Sequence, residues 1–440
     1  MYNEKEETDE RHGTGQHAIS VYLEATSASR LKAKMRTLIL VLLYQSVFGV
    51  FSAFAREPSE VWKIQLAMLE RQGGTAEVSP FGDAVRFWEK VYGEWTGKEG
   101  VIHDAKDLRR IYRRVKTSER ERARLEVREQ LLKLHRLEKL LDQTPPSEWD
   151  RQLWGPSLTA SDREVYSLFS EKTPGRFLAA SHYRRLRFQQ GQLENFQSGI
   201  QEGGAYFEEM ERIFIEHRIP WEITRLPLVE SSFNLKARSK VGASGVWQFM
   251  RATGREFLWI DDEIDERNDP LRASHAAAEL LTINFEELGN WPLAVTAYNH
   301  GRASLRRISS KYATSDLNDL IVRVRERHFG FASRNFFACL VAAVRIEQRS
   351  TIARKKPQPF FQVEMPGAIS LEELARWMKW APRELRALNP ALLGSGKRVR
   401  IPKGYLLNGP RKTSQSPESA VREFQMKFQK IPSVFRRASL

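Results

Sequence analysis

Leu226 to Asn234 reads LPLVESSFN. An apolar run delivers one carboxylate, Glu230, and breaks at once into two serines. Upstream, Pro220 suits the first turn of a helix, PWEITRLPLVES, with Ile223 and Leu226 on its buried side. Pro227 disturbs that helix, and Ser231-Ser232 favours a cap or turn. Glu230 is therefore expected at a helix C-terminus, between Leu228, Val229 and Phe233. Apolar surroundings strip its hydration and the negative helix end repels its charge, so both favour the protonated form. A carboxyl that stays protonated near neutral pH can deliver its proton to a leaving group. The bland alternative is a surface glutamate on a last helical turn.

Two later stretches bear on that choice. VGASGVWQFMRATG (241–254) sets Gly242 and Gly245 among small residues, which permits close backbone approach. Gln248 offers an amide that donates to and accepts from sugar hydroxyl and acetamido groups. Trp247 has a face that could stack on a pyranose ring, although a core position is the commoner fate. WPLAVTAYNHGRASLRRI (291–308) ends an apolar helix with Ala297-Tyr298-Asn299 and Gly301.

Together and in this order, the three stretches resemble the lytic transglycosylases of bacterial cell-wall metabolism, a lysozyme-like superfamily. The matching motifs are E-S-x-F-N at Glu230–Asn234, G-x-x-G followed by V-W-Q-F-M at Gly242–Met250 with Thr253-Gly254 after it, and A-Y-N-x-G at Ala297–Gly301. Trp247 ahead of Gln248 is similar to the membrane-bound D branch. The resemblance covers about Pro220 to Arg307 and the surrounding helices. It implies a mainly α protein with a lysozyme-like all-α catalytic domain. It also implies cleavage of the bond between N-acetylmuramic acid and N-acetylglucosamine in peptidoglycan, leaving 1,6-anhydro ends. Glu230 is then the catalytic acid and base. Ser231 supports the sugar or the Glu230 side chain, Tyr298 hydrogen-bonds near Glu230, and Gln248 and Asn299 hold sugar substituents. No metal or organic cofactor is implied.

Two rivals stand beside this reading. A hydrolytic muramidase needs a second carboxylate, and WIDDEIDERNDP (259–270) offers Asp261, Asp262 and Asp265. The competing view of those residues is a polar loop feeding the N-cap of a helix after Pro270. A non-catalytic cell-wall-binding or scaffold protein is the other rival; retention of Glu230 and of Tyr298-Asn299 favours an enzyme.

The 440 residues suffice for two or three domains, and 41% hydrophobic residues exclude a disordered polymer. A net charge of +15 favours polyanionic partners: nucleic acid, an anionic membrane face or an acidic polysaccharide. The single cysteine, Cys339 in FFACLVAAV, allows no intrachain disulfide or multi-cysteine metal site and reads as buried and inert. Leu31–Ala55 has Lys32, Lys34 and Arg36, an apolar run, and a closing Ala53-Phe54-Ala55, the layout of a secretory signal; a membrane anchor competes. The expectation is a signal at 35–55, an upstream extension at 1–34 from a mis-called start, and no lipid-anchor cysteine. Export to the periplasm or cell envelope weighs against nucleic acid and for peptidoglycan glycan strands.

Residues 56–160 read as a polar helical arm. Leu125, Leu131, Leu132, Leu134, Leu137, Leu140 and Leu141 recur along it, as in a solvated scaffold helix or one arm of a coiled-coil hairpin. Such an arm would offer a docking place for a cell-wall protein. QTPPSEWD ends it, and 161–350 form the catalytic domain. After RKKPQPF comes a βααβ module at 358–405: FFQVEMP as strand, a helix capped by Ser370 with Glu373, a helix opened by Pro382, and KRVRIP as strand. It resembles a LysM domain, a fold that binds N-acetylglucosamine-containing glycans, through L-x-x-L-A at Leu371–Ala375 and L-x-x-L-N-P at Leu385–Pro390. It departs from that pattern at Pro366–Ser370, where a Gly-Asp-Thr turn is usual. Residues 406–440 read as a flexible tail.

Overall fold

Side-chain caps and prolines set many of the helix starts in the computed structural model, which describes residues 59–71, 80–140, 158–171, 173–394 and 399–432. The expected signal, the extension ahead of it and the QTPPSEWD boundary lie outside the described residues. In chain order, α1 (Glu60–Arg71) and α2 (Pro80–Gly93) precede strands β1 (Glu99–Asp104) and β2 (Ile111–Lys116). Then come α3 (Arg120–Leu140), α4 (Ala160–Ser167), α5 (Arg176–Ser181) and β3 (Leu186–Gln190). The central part holds α6 (Leu193–Gly203), α7 (Phe207–Glu216), α8 (Leu226–Ser231), α9 (Arg251–Gly254), α10 (Pro270–Leu288), α11 (Trp291–His300), α12 (Arg302–Tyr312), α13 (Leu317–Arg323) and α14 (Phe331–Arg349). Asp269, Asn290 and Asp316 cap α10, α11 and α13 with side-chain oxygens on first-turn N–H groups.

The core gathers around α14, which is apolar on nearly every side from Phe336 to Val344. Against it lies α2, with Phe81 stacked on Phe337 at 5.6 Å. Here the structure corrects the expected arm. Residues 80–93 are not solvated scaffold; Phe81, Val85, Trp88 and Tyr92 are buried in the same core as Leu228 and Trp247. Nor is the segment all helical. DLRRIYRRVK, which reads as the start of an amphipathic helix, contains strand β2. β2, β1 and β3 form an antiparallel sheet in the order β2-β1-β3, with Gly100 opposite Val115 and Ile102 opposite Phe188. The apolar stripe of α3, Ala123, Val127, Leu131 and Leu134, packs on that sheet and is buried. The apolar stripe of the expected arm is thus covered by the chain itself, while Leu125 points to solvent.

The C-terminal region has β4 (Phe360–Glu364), β5 (Ile369–Ser370), α15 (Leu371–Met378), α16 (Pro382–Leu388), β6 (Arg400–Ile401), β7 (Leu406–Pro410) and α17 (Pro417–Gln429). Ser370 and Glu373 form the reciprocal capping box at the start of α15. The expected loose tail is a second correction. β7 pairs with β4 along its whole length, and α17 lays Phe424 on Phe361 and on Trp380, at 5.9 and 6.1 Å. This module is clamped to the loop before α10. Asp265 N–H donates to Ala391 O at 2.8 Å, Leu393 N–H to Glu263 O at 2.7 Å, and Arg272 to Leu406 O. No helix among the described residues is long and apolar enough to cross a membrane.

Candidate active site

Glu230 lies on the last turn of α8, as its flanking residues imply. The upstream helix is split: Trp221–Arg225 is a 3-10 turn, and Pro227 falls in the first turn of α8, where its missing N–H leaves no bond unmade. After Glu230 the chain turns sharply. Ser232 (φ 50°) and Phe233 (φ 53°) are both left-handed, and their N–H groups return to Leu228 O and Pro227 O at 3.2 and 3.0 Å. Phe233 drops into the core against Tyr206 and Phe207. Helix α6 comes close enough to support this turn because Gly199 has no side chain; a Cβ there would lie 2.5 Å from Ser232 O.

The Glu230 residue is half-buried, and among the described residues its carboxyl has no hydrogen bond or ion pair. Desolvation alone pushes its pKa from 4.5 up to about 7. Its neighbours are neutral: Tyr92 from α2, Tyr298 from α11 and Cys339 from α14. Burial chiefly, with the Glu230 charge adding to it, pushes the pKa of all three well above its ordinary value. Tyr92 and Cys339 hydrogen-bond to each other. A carboxyl held this way is half protonated near neutrality and can give and retrieve a proton in turn.

The other anticipated residues hold the frame around that carboxyl. Ser231 Oγ lies 2.9 Å from Val246 O and 3.1 Å from Pro227 O, so its hydroxyl ties α8 to the 242–250 loop. Tyr298 Oη donates to Trp247 O at 2.8 Å. Gln248, left-handed at φ 51°, donates from Nε2 to Gly245 O at 2.7 Å. Gly245 itself (φ 76°) passes so near Arg267 O that a Cβ would sit 1.7 Å away. Asn299 is exposed, and its Oδ1 accepts from Ser333 Oγ at 3.2 Å. Trp247 takes the core option: it is fully buried, stacked on Phe214 at 5.6 Å, and donates to Ser274 Oγ at 2.9 Å.

The carboxylates of 259–270 serve the backbone. Asp265 is buried and paired with Arg267 at 2.8 Å. Asp261 accepts from Trp259 Nε1 and from the N–H groups of Glu263 and Ile264 at 2.6, 2.8 and 2.7 Å. Asp262 is exposed. The helix cap falls to Asp269, which accepts from Leu271 and Arg272 N–H.

Residues 216–321, which contain Glu230, the 242–250 loop and Tyr298, match the family model described as the transglycosylase SLT domain. The likeness is confined to that stretch of the chain. Over 94 residues the chain is 34% identical to the membrane-bound lytic murein transglycosylase D of Escherichia coli strain K12, covering 21% of each chain. The figures are the same for that protein in Escherichia coli O6:H1 strain CFT073. The chain thus spans about a fifth of the length of these relatives. Among solved structures, the 70 kDa soluble lytic transglycosylase of Escherichia coli aligns over 34% of this chain and 27% of its own, at 19% identity and a TM-score of 0.28. An inactive mutant of the lytic transglycosylase Slt of Pseudomonas aeruginosa aligns over 44% and 30%, at 18% identity and a TM-score of 0.29.

Sequence reasoning missed what surrounds Glu230. Tyr92 comes from the supposed arm, Cys339 was read only as inert, and Gly199 carries no motif. Nothing local marks Tyr92, because its place beside Glu230 follows from α2 packing on α14.

Proposed function

We propose that the protein is a lytic murein transglycosylase of the cell envelope. It cleaves the bond between N-acetylmuramic acid and N-acetylglucosamine in peptidoglycan and leaves 1,6-anhydro ends. Glu230 protonates the glycosidic oxygen. The resulting carboxylate takes the proton from the muramic C6 hydroxyl, whose oxygen attacks C1 and closes the anhydro ring. Water is not consumed, so one carboxyl suffices where most glycosidases need two.

The observation that carries this reading is the isolation of Glu230. Its pKa is raised to about 7 by burial alone, with no second carboxylate contributing. A hydrolytic muramidase would draw on Asp261, Asp262 or Asp265; Asp261 and Asp265 are bonded to Trp259, Arg267 and backbone N–H groups, and Asp262 is exposed. Asn299 is the anticipated sugar-binding residue that faces solvent, so its amide is assigned to the substrate. Ser231, Gln248 and Tyr298 are assigned to holding the loop, with their substrate contacts secondary. The βααβ unit is proposed to be LysM-like.

The test is mass spectrometry of muropeptides released from purified murein by residues 56–440, beside Glu230→Gln. Anhydro-terminated products from the wild type alone support the proposal. Reducing-end products transfer the reading to a hydrolase, and binding without release makes the protein a cell-wall-binding module.

A further inference from the structure

A groove of ≈ 700 Å³ lies where β3 meets the start of α3, outside the Glu230 site. Four of its lining residues are arginines, Arg120, Arg124, Arg184 and Arg187, and one is a carboxylate, Glu121. Glu121 is shared between Arg124 at 2.8 Å and Arg120 at 3.8 Å, leaving the groove with a surplus of positive charge. Among the described residues neither Arg184 nor Arg187 has an ion pair. Arg184 Nε donates to Tyr183 Oη at 2.8 Å, and the Arg187 guanidinium lies 4.4 Å from the centre of the Phe331 ring. Partial burial of Arg187 lowers its pKa with no anion to offset it. Tyr183, 62% exposed, adds a flat apolar face beside these cations.

The groove connects to the candidate active site through one helix. Gln192, on its wall, is the N-cap of α6, and Gly199 of α6 packs against the turn after Glu230. The two positions are roughly 10 Å apart along the helix axis. Only an extended polymer, and not a small ligand, can occupy both Glu230 and the groove.

We infer that this groove is a second binding site for the substrate polymer, in which Arg184 and Arg187 grip carboxylates on a glycan strand while Tyr183 lies against its sugar rings. The assignment of the strand to murein rests on the proposed function; the recognition of a carboxylated polymer rests on the groove. Exposed arginines of this kind act through long-range attraction and paired hydrogen bonds, so the grip weakens as salt rises.

The experiment is co-sedimentation with intact murein sacculi at low and physiological salt, in a Glu230→Gln background so that the polymer survives. Arg184→Ala/Arg187→Ala is expected to weaken sedimentation at low salt by about fivefold, the size of two exposed ion pairs lost. Arg184→Lys/Arg187→Lys should recover most of it, and sacculi with amidated carboxylates should bind the parent protein as weakly as the alanine variant. With Glu230 restored, the alanine variant should turn over short soluble glycan fragments at the wild-type rate. Equal sedimentation of parent and alanine variant, or indifference to amidation, overturns the groove. Arginine-dependent sedimentation without anhydro products from the wild type upholds the groove and sinks the transglycosylase reading instead.

Discussion

The Ser231 hydroxyl sits 2.9 Å from the Val246 carbonyl and 3.1 Å from that of Pro227, so one side chain joins the Glu230 turn to the loop that carries Gln248. Its neighbour in the motif is Glu230, the proposed acid, and the Ser231 hydroxyl fixes the turn that carries it. Ser231→Ala leaves a half-buried carbonyl without its donor, which should remove about 1 kcal/mol of stability. It should also lower kcat more than it raises KM, because the Glu230 turn loosens. Urea unfolding and steady-state kinetics on murein check both, and Ser231→Thr should recover part of each.

Glu230 makes stability depend on pH. Its folded pKa, about 7, exceeds the ordinary value of 4.5, so between those pH values the folded chain keeps a proton that the unfolded chain has released. Stability is then undiminished below pH 4.5, falls as pH rises toward 7, and levels off above it. The full shift corresponds to ~3 kcal/mol, and partial solvation of the carboxyl reduces it to about 2 kcal/mol. Glu230→Gln should abolish cleavage, flatten this slope and be the more stable protein at pH 8. Denaturant midpoints measured from pH 5 to 8 for both proteins decide it; parallel curves would remove the idea.

Tyr298→Phe deletes the donor to Trp247 O without changing the ring packing on Phe249. The expected loss is about 1 kcal/mol, with catalysis falling further than binding. Unchanged kcat would relieve Tyr298 of any part in holding the site.

Gly245→Ala is expected to be far more damaging than its size suggests. The methyl would meet Arg267 O and the backbone is held at φ 76°, so strain and displacement add. A loss above ~2 kcal/mol, visible as a lowered melting temperature and poor soluble yield, is the expected outcome.

Arg272 bridges helix α10 and the C-terminal module. It pairs with Glu266 at 2.9 Å, lies 3.7 Å from Asp269, donates to Leu406 O and lies over the Tyr405 ring. Arg272→Ala strands two buried carboxylates, at roughly 3–5 kcal/mol. Limited proteolysis should then cut the exposed 353–358 link early and release the module, while the wild type stays whole.

What was legible in the chain was local. The left-handed turn after Glu230, the Ser370–Glu373 box and the Pro382 helix start are each written in neighbouring residues. One local signal was present and misread: Ser416-Pro417-Glu418 caps and opens α17, although RKTSQSPES has the composition of a loose tail. Strand β2 was hidden because its alternating Ile111, Arg113 and Val115 stand among the charges of a long amphipathic run, and a strand needs partners that composition does not name.

The sequence by itself determined that Glu230 ends a short apolar helix and that it belongs with the 242–250 and 297–301 motifs, since turns, caps and ordered motifs depend on residues a few positions apart. Tertiary structure alone decided which groups surround that carboxyl. Tyr92, Tyr298 and Cys339 meet there because α2, α11 and α14 pack together. The burial they impose, acting through space, is what raises the acid toward neutrality.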